Sequence, residues 1–283
     1  RDYYKFYKGV RPDAFTVGEV WAGSDVVSTY VGDQMDIAFE FDLAGAIIAS
    51  ARDGNKAPVE NALKRIAEFY PKGQYGTFLA NHDQNRVLSQ LGGPDYIEKA
   101  DVAAALQFTL PGVPFIYYGE EVGMIGEKPD EKIRTPMQWS AERFGGFSTA
   151  RPWQPANTNG KEFNVAVMRA DKSSLWNQYD RLIELRNAHK ALRTGDVTIL
   201  ETSANQILSY VRHDDSGRFL IVANLGAKPT SDYSVTLPEG LANGLTKASE
   251  VLQGKGPAAA PKAGSYKPGS TPEAETVYVY ALE

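Results

Sequence analysis

Four short runs of apolar and β-branched residues mark the first part of the chain: Phe15-Thr-Val-Gly18, Ile37-Ala-Phe-Glu-Phe41, Thr77-Phe-Leu-Ala80 and Phe115-Ile-Tyr-Tyr118. Runs of this length, bounded by Gly, Pro, Asp or Asn, read as buried strands. The segments between them carry a helical period. Val59, Leu63, Ile66, Ala67 and Tyr70 share one face after Pro58, and Ile97, Ala100, Ala104 and Phe108 share another before Pro111-Gly112. A further helix, starting near Ser173 or Ser174, puts Leu175, Tyr179, Leu182 and Ile183 on one side. Strands alternating with helices predict an α/β fold whose parallel sheet is covered on its outer face.

From about Gly195 the texture changes to short alternating runs such as Gln206-Ile-Leu-Ser-Tyr-Val-Arg212, Arg218-Phe-Leu-Ile-Val-Ala223 and Thr276-Val-Tyr-Val-Tyr-Ala-Leu282. Alternation with Gly, Pro, Asp and Asn between runs predicts a small antiparallel sandwich. The expected division is therefore 1–194 for the α/β part and 195–283 for the β part. A Pro/Gly/Ala/Lys stretch over 254–272 offers little apolar surface and is expected to be a loose surface loop. The stretch 120–172 is too long for a simple connector, and long loops of that kind often line active sites.

Composition narrows the function. The formal net charge of −5 over 283 residues comes from interspersed acids and bases, without the basic stripe that nucleic-acid binders use to neutralise phosphates. No apolar run approaches the ~20 residues needed to cross a bilayer, so no membrane partner is expected. The chain starts at Arg1, which leaves its compartment open; a soluble protein, secreted or periplasmic, is the expectation. There is no cysteine, and His82, His189 and His213 stand far apart in sequence, so no metal centre is expected within this chain.

In three of the four strand runs an acid stands at or just past the C-terminal end: Glu19, Asp83, and the pair Glu120-Glu121. A (β/α)₈ barrel carries its active site on that face, so three strands would aim carboxyl groups into one cleft. A polar residue at a single strand end is ordinary, because any strand must meet solvent. Three together, with His82 and the aromatic residues Trp21, Tyr117 and Tyr118, favour chemistry. Paired carboxyl groups can cleave a glycosidic bond, one protonating the leaving oxygen while another attacks or stabilises the anomeric carbon.

Phe15-Thr-Val-Gly-Glu-Val-Trp21 resembles a conserved region of α-amylase-type glycoside hydrolases whose Glu is the general acid/base. Phe78-Leu-Ala-Asn-His-Asp-Gln-Asn-Arg86 resembles the region whose His-Asp pair grips the sugar at the cleavage point, and Gly112-Val-Pro-Phe-Ile-Tyr-Tyr-Gly-Glu-Glu-Val-Gly123 resembles the eighth strand and its loop. The resemblance implies the second half of a (β/α)₈ TIM barrel followed by that family's C-terminal β domain. It implies Glu19 as acid/base and Asp83 as the carboxylate that stabilises the transition state. Substrate would be held by His82, Asn81, Trp21 and Arg134, the last in Ile-Arg-Thr-Pro-Met-Gln-Trp139, a signature similar to that of oligosaccharide-acting members. Glu120 and Glu121 are expected to be structural, with wet carboxylates. The implied substrate is an α-1,4-glucan or maltooligosaccharide. An α-1,6-glucosidase, a trehalose-forming relative, and a non-catalytic sugar-binding relative remain open, although the last would be expected to lose Glu19 or Asp83.

The family's nucleophile is an Asp in a stretch resembling Gly-Phe-Arg-x-Asp, and that stretch does not occur here. Asp33, Asp36 and Asp42 do not stand in the required context. Asp2-Tyr-Tyr-Lys-Phe-Tyr-Lys-Gly9 resembles the helix that follows the fourth strand. The expectation is a chain that begins beyond the nucleophile, is inactive alone, and either self-associates or pairs with an N-terminal half. Calcium ligands, where the family has them, would lie in that other half.

Overall fold

A computed structural model describes residues 1–254, 257–269 and 271–283. Its first sheet holds four parallel strands in the order β1 (Val17–Gly18), β2 (Ile37–Phe39), β3 (Tyr75–Thr77) and β4 (Val113–Pro114). Register is set by Val17 opposite Ile37, Ala38 opposite Tyr75, and Gly76 opposite Val113. The strands at β3 and β4 therefore lie two residues earlier than the apolar runs suggest. Phe78 to Ala80 and Phe115 to Tyr118 follow the last paired residues, and their apolar character comes from packing beyond the strand ends.

The helices Ala57–Phe69, Ile97–Thr109 and Leu175–Ala188 stand where the period places them. On the first, Val59, Leu63, Ile66 and Tyr70 are buried, but Ala62 replaces the expected Ala67, which is exposed. The helix Ile97–Thr109 is buried on nearly every side, from Val102 to Thr109 without a break. It packs against the helices Phe41–Asp53 and Leu175–Ala188 and against β12 (Thr276–Leu282), so only its first turns, with Glu98 exposed, keep polar residues at the surface. The first helix, Asp2–Val10, buries no residue. It is fastened by Asp36, whose carboxylate receives the Tyr7 hydroxyl at 3.0 Å, the Thr16 amide and hydroxyl at 2.9 Å each, and Lys8 at 2.7 Å. Burial opposes the ionised form, but the Lys8 ammonium and the Thr16 donors outweigh it and hold this carboxyl down at about 2.

The remaining strands form a six-stranded antiparallel sheet in the order β10 (Pro257–Ala258), β9 (Ala248–Glu250), β12, β7 (Gly217–Asn224), β6 (Ile207–Asp214), β5 (Asp196–Ile199), with a two-stranded ladder of β11 (Gly264–Tyr266) and β8 (Val235–Leu237). The expected loose loop is corrected here. Tyr266 is buried and β11 pairs residue by residue with β8, so one aromatic anchor fixes a stretch whose composition suggested none. Residues 255, 256 and 270 of that stretch lie outside the described residues.

Two guanidinium groups grip the end of the helix Ile97–Thr109, one from a neighbouring helix and one from the β sheet. Arg186 donates to the carbonyls of Phe108 at 2.6 Å, Leu110 at 3.0 Å and Gly112 at 2.5 Å. Arg212, from β6, donates to Thr109 at 2.6 Å, Gly195 at 3.0 Å and Asp196 at 3.3 Å. Burial brings both guanidinium pKa values down to about 10, which leaves them charged at neutral pH. The carbonyls they cap include those left free where the helix Ile97–Thr109 ends, and the negative end of the helix dipole favours a cation there. Among the described residues no helix is long and apolar enough to cross a membrane.

Candidate active site

The C-terminal ends of the four parallel strands carry a row of aromatic rings. Trp21 packs on Phe41 at 4.5 Å between centroids, Phe41 on Phe78 at 5.0 Å, Phe78 on Phe39 at 5.2 Å, and Phe39 on Phe115 at 4.8 Å, mostly edge to face. Period-two alternation puts Phe39 and Phe41 on this side and sends Glu40 to the other. Glu40 is buried there against Ser24, whose hydroxyl donates at 2.8 Å, and burial raises its pKa. Its strand end carries an acid too, but that acid faces the helices and not the cleft.

Glu19 follows β1 and is exposed, with the Trp21 indole donating to its Oε1 at 3.3 Å. Trp21 is 60% exposed while one face rests on Phe41, so its other face is free for a ring-shaped ligand. Two strands away, the segment after β3 carries Asn81, His82 and Asp83. Strands 4.7–4.9 Å apart put the β1 and β3 ends about 10 Å from each other. Asn81 turns the chain by accepting the Asp83 amide at 2.9 Å. His82 Nε2 lies 3.5 Å from Asp83 Oδ2. Arg134 closes the group: its Nη2 reaches Asp83 Oδ1 at 2.5 Å and Asp130 Oδ2 at 2.7 Å, and its Nε donates to the His82 carbonyl at 2.8 Å. A cavity of about 150 Å³ opens beside them, lined by Phe39, Phe78, Asn81, His82, Phe115 and Tyr117.

Glu120 and Glu121 are not wet. Glu120 is 4% exposed and accepts the Tyr179 hydroxyl at 3.1 Å, and burial raises both carboxyl pKa values, that of Glu120 strongly. Of the acids considered as substitutes for a nucleophile, Asp33 pairs with Arg1, Asp36 with Lys8, and Asp42 with Ser24. Sequence reasoning missed Arg86, which is 1% exposed beneath this group; its signal was a lone Arg inside an otherwise recognisable motif.

The family model for the alpha amylase catalytic domain matches residues 1–195. This chain belongs to the alpha-amylase family. It is 32% identical to Alpha-amylase 3 of Dictyoglomus thermophilum over 231 residues, covering 80% of this chain and 45% of that protein. It is 29% identical to the glucan 1,6-alpha-glucosidase of Streptococcus pneumoniae over 296 residues, 85% of this chain and 54% of that protein. The solved alpha-amylase from H. orenii superposes over the whole chain with a TM-score of 0.82 at 32% identity, and the match takes in 56% of that structure. The four parallel strands are thus part of an alpha-amylase TIM barrel, and a β domain follows them. The chain spans about half the length of the curated relatives it matches.

Proposed function

We propose that this alpha-amylase family chain contributes one wall of the active site of a retaining α-glucan hydrolase, as residues 1–194 of a barrel with 195–283 as its β domain. The observation that carries the reading is the Asp83 carboxylate held by Arg134 beside His82, across the strand ends from the exposed carboxyl of Glu19. In the reaction Glu19 gives its proton to the glycosidic oxygen as the bond breaks, then takes one from the water that ends the cycle. Asp83 stays ionised and opposes the positive charge that grows on the sugar, a role most valuable in the transition state. His82, Asn81 and Arg134 are placed to bind hydroxyls, and Trp21 offers a face to the apolar side of a glucose ring.

The attacking carboxylate of this scheme comes from a Gly-Phe-Arg-x-Asp stretch outside this sequence, and any calcium ligands from outside it as well. Strands β1 and β4 are the two ends of the parallel sheet, and Phe15, Val113, Ile116 and Tyr118 near them are exposed; unpaired edges of this kind suit an N-terminal half-barrel. The preferred substrate is an α-1,4-glucan or maltooligosaccharide. Cleavage of α-1,6 bonds is the second reading, supported by the similarity to a glucan 1,6-alpha-glucosidase. A reducing-sugar assay on maltooligosaccharides and on isomaltooligosaccharides tests both. The 283-residue chain should be inactive alone and active once mixed with a half carrying the nucleophile, and Glu19→Gln should lower the regained turnover by roughly 10²–10⁴-fold. Hydrolysis by the chain alone would refute the divided site.

A further inference from the structure

Arg86 follows the His82-Asp83 segment by three residues and is wholly enclosed, with no carboxylate bonded to it. Its guanidinium lies over the Tyr117 ring at 4.9 Å and the Tyr118 ring at 4.6 Å, and its Nη1 donates to the Tyr118 carbonyl at 2.7 Å. Its Nε and Nη2 have no hydrogen-bond partner. A buried cation in that state costs stability, and burial lowers its pKa. That cost is set against what the arginine organises around it.

The two tyrosines lead onward. Tyr117 donates its hydroxyl to the Ile133 carbonyl at 3.1 Å, and Tyr118 donates to the Thr135 carbonyl at 2.6 Å. Those carbonyls flank Arg134 on both sides, and Arg134 returns to Asp83 and to the His82 carbonyl. The contacts form a ring: Asp83, the short segment to Arg86, the paired tyrosines, the backbone around Arg134, and Asp83 again. The space is shaped for it. Gly119 has φ +84°, and a Cβ there would collide with Met124 Sδ and stand 3.2 Å from Arg86 Nη1.

We propose that Arg86 is a positioning residue: lying over Tyr117 and Tyr118, it fixes the backbone on either side of Arg134 and so sets the approach of that guanidinium to Asp83. A guanidinium suits the task because its delocalised cation lies within reach of both rings, which stand at 67° to each other, while one N–H still donates. The effect on turnover rests on the role proposed above for Asp83. The placement of Arg134 does not.

The test observes Arg134 directly. In the 283-residue chain the Arg134 Nε–H, assigned by its loss in Arg134→Lys, should give a dispersed nitrogen–proton resonance with slow exchange, because it is bonded to the His82 carbonyl. Arg86→Met and Tyr118→Phe should each accelerate that exchange by roughly tenfold or more, with Arg86→Lys in between because a cation stays over the rings. Unchanged Arg134 exchange in folded Arg86→Met and Tyr118→Phe overturns the proposal, however far the melting temperature falls. If Arg86→Met does not fold, Tyr118→Phe and Arg86→Lys decide the matter on the same criterion. Should Asp83→Asn leave turnover untouched in the assembled enzyme while Arg134 still responds to Arg86, the functional reading fails and the positioning role survives.

Discussion

Asp101 offers the sharpest test of the electrostatics. It lies on the buried helix Ile97–Thr109 with Oδ1 enclosed and unpartnered, at a cavity of about 150 Å³ between that helix, Gln178 and Arg181, and the β-domain residues Gln253 and Glu275. Burial, reinforced by Glu98 and opposed by Arg181, pushes its pKa up to about 7. Glu275, across the gap, is occupied by Lys99 at 4.0 Å. An aspartate raised from about 3.9 binds its proton more tightly in the folded state, so folding stability falls as pH rises from about 4 to about 7, and the full penalty persists above that. Three pH units at 1.36 kcal/mol each amount to about 4 kcal/mol. Asp101→Asn keeps the shape and never ionises. Between pH 4.5 and pH 8.5 the stability difference between variant and parent should shift in favour of the variant by about 3 kcal/mol, on the order of 10 °C in melting temperature. Urea unfolding at the two pH values measures it. Parallel pH profiles for the two proteins would show that Asp101 ionises freely and that the cavity does not enclose it.

Asp83→Asn in the assembled enzyme should reduce kcat far more than it raises KM, since a fixed negative charge matters most when the sugar becomes cationic; an unchanged kcat with a raised KM would leave Asp83 an ordinary binding residue. Asp36→Asn should free the helix Asp2–Val10, seen as early proteolysis between the helix and β1. Its folded pKa of about 2 is depressed, so its contribution of about 1–2 kcal/mol, after solvent screening, is present above pH 4 and lost as pH falls through 2. The variant and the parent should therefore converge in acid.

The candidate site was legible as a place in the fold because it depends on local features: a strand followed by an acid, three times over, in motifs that keep their order. Glu40 shows where that logic stops. It stands at a strand end like the others, and only the alternation of Phe39 and Phe41 around it, resolved once the register was known, turns it away from the cleft. The contacts of Arg86 were hidden for a different reason. Its partners Tyr117 and Tyr118 are 31 and 32 residues away in sequence, and no local pattern announces a cation lying over rings from another strand. The stretch 254–272 misled through composition. One buried Tyr266 anchors it, and averages over a window conceal a single anchor.

The paired arginines beneath the helix Ile97–Thr109 have a consequence for the cleft itself. The turn they grip, from Phe108 to Gly112, leads directly into β4 and from there to Tyr117 and Tyr118. Arg212 reaches that turn from the far sheet, and Tyr210 beside it meets the Thr109 hydroxyl at 2.6 Å. The C-terminal sheet thus acts as an outrigger for β4. Cutting the chain near residue 195 would remove Arg212 and Tyr210, and Tyr117 and Tyr118 would lose the distant anchorage from which they take their bearing.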